Sequence, residues 1–116
     1  MLTFEQVLAM AVALPDAVEQ DHHGFPSVRL KGKIFCTLRR EPHRLMVKLD
    51  TEDQHNLCEA HPGVIEPVPG YWGRKGSTFV RYDQIDAPLA SALLRLAWAT
   101  AAPKARRPRR SGPCSQ

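Results

Sequence analysis

The sequence predicts an α+β domain of two layers, an antiparallel sheet of four to five strands with helices packed on one face. Three observations carry this. Three successive segments between Val28 and Leu49 alternate apolar and polar residues with a period of two. Helical periods with capping signals stand before and after them. Turn residues punctuate the chain at Gly32, at Glu41–Arg44 and at Pro62-Gly63. The order is α-β-β-β-α-β-β-α, with the helices on the sheet face that the apolar residues share.

Thr3-Phe4-Glu5-Gln6 reads as a capping box, with Leu2 and Val7 placed for a hydrophobic staple. Phe4, Val7, Leu8, Ala11 and Leu14 then share one helical face until Pro15 stops it. Residues 16–24 read as a polar loop. Val28 and Leu30 oppose Arg29 and Lys31; Ile34, Cys36 and Leu38 oppose Phe35, Thr37 and Arg39; Leu45, Val47 and Leu49 oppose Met46 and Lys48. A meander with one buried and one wetter face follows. Thr51-Glu52-Asp53-Gln54 is read as a second capping box, opening a helix through Ala60. Val64–Val68 is a short strand that Pro67 confines to an edge. Residues 69–76 hold three glycines with Tyr71 and Trp72 and read as a loop, and Ser77–Tyr82 as the last strand. Asp86 caps the final helix, with Pro88 in its first turn. Its core stripe is predicted at Leu89, Leu93, Leu96 and Thr100, widened by Leu94 and Trp98, and Pro103 closes it.

The chain has 116 residues, enough for one core without metal or disulfide. No run approaches the length of a membrane helix, which needs about 20 apolar residues, and the first residues lack the basic region of a signal peptide. The three cysteines are odd in number and far apart, so free thiols in a reducing cytoplasm are expected. Residues 1–103 carry eleven Lys and Arg against all twelve acidic residues, a formal charge of −1. Residues 104–116 add five basic residues, so the overall +4 belongs to the tail. The predicted domain is therefore residues 1–103, followed by a basic disordered tail over residues 104–116.

No catalytic pattern emerges, and no enzyme activity or cofactor is expected. The adjacent His22 and His23 lack a third ligand at usable spacing. His55-x-x-Cys58-x-x-His61 spreads its ends around a helix by about 120°, which disfavours a single metal ion. Gly70-x-x-Gly73-x-x-Gly76 resembles a phosphate cradle, but no helix is predicted to follow it. A nucleic-acid surface has more support. Arg29, Lys31, Lys33, Arg39 and Lys48 share the outward parity of the first three strands, and Arg81 can join them. Trp72, Arg74 and Lys75 add an aromatic, cationic loop, and Arg106, Arg107, Arg109 and Arg110 a basic arm. The same charges would also serve as a solvated face guarded against edge pairing.

Several segments resemble the MmcQ/YjbR family of small bacterial proteins. They are Thr3-Phe4-Glu5-Gln6-Val7, Ala13-Leu14-Pro15, His22-His23-Gly24-Phe25-Pro26-Ser27-Val28-Arg29 and Lys31-Gly32-Lys33-Ile34-Phe35. Tyr71-Trp72-Gly73, Val80-Arg81 and Ala102-Pro103-Lys104 complete the set. The resemblance implies a compact two-layer fold similar to CyaY-like and secretion-chaperone-like domains, a DNA-binding label, and no catalytic residues. Ser77-Thr78-Phe79 departs from the family pattern, where many members have Trp, and the tail extends past its usual end. The expected function is thus weak nucleic-acid binding, with DNA as partner, in the cytoplasm. A protein-binding adaptor using the sheet or its edge is one alternative. Sequestration of a small molecule between the sheet and the Tyr71-Trp72 loop is another.

Overall fold

The computed structural model describes residues 2–22, 24–41 and 43–102. Helix α1 (Phe4–Val12) opens on the predicted capping box: Gln6 N donates to Thr3 Oγ1 at 3.1 Å, and Thr3 N to Gln6 Oε1 at 2.9 Å. It buries Phe4, Val7 and Ala11. Asp16, at φ +61°, turns the chain into β1 (Ala17–His22), where a loop was expected. The strand escapes the pattern because it is an edge: among the described residues it pairs only with β2 (Phe25–Leu30), and Val18, its largest apolar side chain, is 51% exposed. Without a buried row there is no alternation to read.

Strands β3 (Lys33–Arg39) and β4 (Arg44–Lys48) continue the meander. Then come α2 (Thr51–Ala60), β5 (Ile65–Pro67), α3 (Tyr71–Arg74), β6 (Ser77–Val80), a 3₁₀ turn at Tyr82–Gln84 and α4 (Ala87–Ala101). The sheet has six antiparallel strands in the order β1-β2-β3-β4-β6-β5, one more than the largest number expected. The predicted order α-β-β-β-α-β-β-α becomes α-β-β-β-β-α-β-α-β-α, because β1 precedes the meander and one turn of helix interrupts the glycine-rich loop. The α+β class stands, and among the described residues no helix is long and apolar enough to cross a membrane.

Helices α1 and α4 pack on one face of the sheet, over Val28, Leu30, Phe35, Leu38, Leu45 and Val47, all buried. The period of two fails once. Val28 pairs with Cys36 but Arg29 with Ile34, so Phe35 is an extra residue in β3. This bulge sends Phe35 into the core and Ile34 to the other face, the reverse of the simple alternation. It moves Lys33 too: paired with buried Leu30, Lys33 takes the helix-side parity at the β2–β3 turn and does not share the face of Arg29.

Two cap and packing details also differ. The N-cap of α2 is Asp50, whose Oδ1 accepts from Glu52 N at 2.9 Å, so Thr51 is the first helical residue. Gln54, freed from capping, is buried against β6. In α4 the Asp86 cap holds, accepting from Leu89 N at 3.0 Å. Its buried stripe, however, is Ala90, Leu93, Leu94 and Ala97; the alanines let the helix lie close to the sheet, while Leu89 and Leu96 fall at the margin. Trp98 Nε1 donates to the Pro15 carbonyl at 2.8 Å and ties α4 to the end of α1.

Candidate nucleic-acid interface

The sheet face turned away from α1 and α4 is built from alternate residues of each strand. Across β2, β3, β4 and β6 the register sets Ser27, Thr37, Met46 and Phe79 in one row. A second row, about 7 Å along the strands, holds Phe25, Arg39 and Arg44. Arg81 continues it by register, since it follows Val80, the buried partner of Leu45. The opposite row holds Arg29, Ile34, Lys48 and Ser77.

Arg39 and Arg44 are direct cross-strand partners. Like charges so placed repel, and among the described residues no carboxylate lies within 4 Å of Arg39, Arg44 or Arg81. The guanidinium groups lie instead on aromatic faces. Arg39 Cζ is 4.3 Å from the Phe25 ring centroid and Arg44 Cζ 4.1 Å from that of Phe79. Stacking supports the cations without neutralising them. Among the described residues the only acid on this face by register is Glu66, opposite Phe79 on β5.

Toward the Lys48 row the face is partly roofed. Helix α3 carries Trp72 beside the sheet, bordering an open cleft of about 420 Å³ whose apolar lining is Ile34, Met46, Val68 and Phe79. Thr37 and Ser77 contribute to its lining, and Lys48 Nζ lies 5.8 Å from the Trp72 ring centroid. Trp72 is 59% exposed and meets Tyr71 edge-on, with centroids 5.1 Å apart.

Close backbone packing fixes this roof. A Cβ on Gly73 would stand 1.7 Å from Val68 O, and one on Gly76 2.0 Å from Leu49 O. The buried Gln54 amide donates to Gly73 O at 2.9 Å, Ser77 O at 3.0 Å and Thr78 Oγ1 at 3.1 Å. The glycines that look like a phosphate cradle therefore seat one turn of helix against the sheet end.

The structure brings Arg29, Arg39, Lys48, Trp72 and Arg81 to one face. Lys31, expected on the outward face of β2, lies instead in the β2–β3 turn at φ +50°, and Lys33 begins β3; both are exposed. Arg74 and Lys75 are exposed at the end of α3, with Lys75 Nζ 5.5 Å from the Tyr71 ring centroid. Arg106, Arg107, Arg109 and Arg110 lie outside the described residues, as do His23 and the side chain of His22. The sequence reading missed Arg44, Phe25 and Phe79 as members of the face, and placed Met46 on it beside Lys48. Arg44 had been assigned to a turn, although its spacing from Met46 and Lys48 carried the signal.

Elsewhere the chemistry is quiet. His55 Nε2 lies 3.4 Å from Glu59 Oε2, and His61 caps α2. Among the described residues no three His, Cys, Asp or Glu side chains gather as metal ligands. Burial pushes the Cys36 thiol up to about 12, and burial with the nearby Glu66 charge raises that of Cys58, so neither is primed as a nucleophile.

The Deinococcus radiodurans protein DR2400, a DUF419 domain, has a similar solved structure. It is 24% identical over 90% of this chain and 82% of its own, with a TM-score of 0.77, a likeness of fold. No curated protein matches the sequence. The YjbR family model matches residues 12–100, from the end of α1 through most of α4, and the chain belongs to the YjbR family.

Proposed function

We propose that this is a non-enzymatic protein that binds single-stranded nucleic acid on the open face of its sheet. The observation that carries the reading is the Arg39–Arg44–Arg81 row, three like charges on neighbouring strands without acidic partners among the described residues. Such a row costs stability in isolation and is relieved by a line of phosphates. Trp72, 59% exposed, supplies a flat face of the kind that stacks unpaired bases. A duplex buries those base faces, so a single strand suits this surface better. The free thiols of Cys36 and Cys58 fit a cytoplasmic setting, and the basic tail would add non-specific affinity.

The test is fluorescence anisotropy with a labelled single strand of about 12 nucleotides and with the matching duplex, titrated across salt. The expected result is tighter binding of the single strand, with affinity falling steeply between about 50 and 200 mM salt. Absence of binding at low salt refutes the reading. A second reading, favoured by the open apolar cleft beside Trp72 with Lys48 in its lining, is capture of a small aromatic anion. It predicts quenching by free ligands and no dependence on strand length.

A further inference from the structure

We infer that the cleft beneath Trp72 is a pocket for one unpaired base, and that Lys48 selects bases with a carbonyl rather than an amino group at the outer edge. Thymine, uracil and guanine are thus preferred to cytosine and adenine. The inference rests on the single-strand reading and adds to it the subsite that reads sequence.

The cleft, at about 420 Å³, lies toward the small end of ligand pockets and accommodates a single ring system. Trp72, Met46 and Phe79 line it with large apolar side chains, and the exposed Trp72 ring is the flat surface on which a base can stack. Its cation, Lys48, is a donor only. With that edge of the base turned to Lys48, thymine O4 and guanine O6 accept from such a group, whereas cytosine N4 and adenine N6 in the same place present hydrogens. The hydroxyls of Thr37 and Ser77 donate or accept and do not discriminate. Among the described residues no carboxylate lines the cleft, so no charged acceptor favours an amino edge.

The pocket is also built before a base arrives. Gly73 against Val68 and the Gln54 amide hold α3 in place, which spares the ligand the cost of ordering it. The arginine row lies about 14 Å from the Lys48 row along the strands, so it meets phosphates of other nucleotides and not that of the pocketed base. Affinity and selectivity are thereby assigned to different residues.

The experiment uses the full chain with oligothymidine and oligocytidine of about 12 nucleotides, bases equal in size. The wild type is expected to prefer oligothymidine about tenfold, the scale of one charge-assisted hydrogen bond. Lys48→Met keeps the aliphatic stem and should bring the ratio to about one while both strands still bind. Trp72→Ala should weaken oligothymidine about tenfold, with Trp72→Phe retaining most affinity. Trp72 is exposed, so both variants fold. Equal affinities in the wild type, or an unchanged ratio in Lys48→Met, overturn the pocket while salt-dependent binding leaves the single-strand reading intact. No strand binding at low salt overturns both. In that event, quenching of Trp72 by thymidine monophosphate in a Trp98→Phe background assigns the cleft to free small molecules.

Discussion

Replacing Gln54 tests whether one buried amide holds the Trp72 roof in place. Its nitrogen has two hydrogens and three acceptors: Gly73 O at 2.9 Å, Ser77 O at 3.0 Å and Thr78 Oγ1 at 3.1 Å. None of the three is orphaned by its loss. Gly73 O keeps Gly76 N, Ser77 O keeps Val68 N, both at 3.0 Å, and the Thr78 hydroxyl keeps donating to Gly76 O at 2.9 Å. The cost of Gln54→Leu is therefore the net worth of two hydrogen bonds, about 2 kcal/mol. For a domain of this size that lowers Tm by roughly 10 °C. Gln54→Glu is harsher, because it aims an acceptor-only carboxylate at three oxygens. Urea unfolding followed by circular dichroism should show the midpoint falling in the order wild type, Leu, Glu, with unchanged slope. A Leu variant within about 0.5 kcal/mol of wild type, or Leu and Glu variants of equal stability, would refute the donor role.

Gly73→Ala forces a Cβ to 1.7 Å from the Val68 carbonyl, backbone against backbone, and should destabilise by about 3 kcal/mol or more, measured by the same unfolding assay. Burial holds Cys36 protonated up to about 12, while the unfolded thiol ionises from its ordinary 9.0. Above about pH 9 the unfolded state thus binds fewer protons, and Cys36 contributes a loss of stability of up to about 1.4 kcal/mol per pH unit. Cys36→Ala should flatten that slope and change nothing of it below pH 9; identical slopes would contradict the assignment. The double variant Arg39→Gln, Arg44→Gln should lower the log–log salt slope of single-strand binding by about 1.4, two phosphate contacts' worth. An unchanged slope places the phosphates elsewhere.

The parts of this fold legible in the sequence are those with a buried period. The Thr3 and Asp86 caps, the α1 stripe and the alternation of β4 all appear where the residues place them. β1 was hidden because an edge strand with an exposed Val18 has no buried row. The β3 bulge was hidden because an inserted residue changes phase without changing composition, and both Ile34 and Phe35 look like core. The site suffered from the same phase error. Lys33 was credited to the open face and Ile34 denied to it, while Arg44 was lost to a turn boundary. The cleft between the sheet and the Tyr71-Trp72 segment was legible in outline; the Gln54 contacts that shape it span 19 to 24 residues and leave no local signal.

The separation of charge between the two sides has a kinetic meaning. Arg29, Arg39, Arg44, Lys48 and Arg81 occupy one face with Glu66, while Glu52, Asp53 and Glu59 sit on α2, and Glu19, paired with core Val28, has the opposite parity. The folded body, near neutral in total, thus gathers most of its strand cations on the open face, although Arg40 pairs with Glu5 of α1 and Arg95 lies on α4. An approaching polyanion exerts a torque on such a body, turning the arginine row toward it before contact. Association should accordingly be fast at low salt although the body's net charge is close to zero, and a charge-reversing change on α2 should alter the rate of encounter without touching the bound complex.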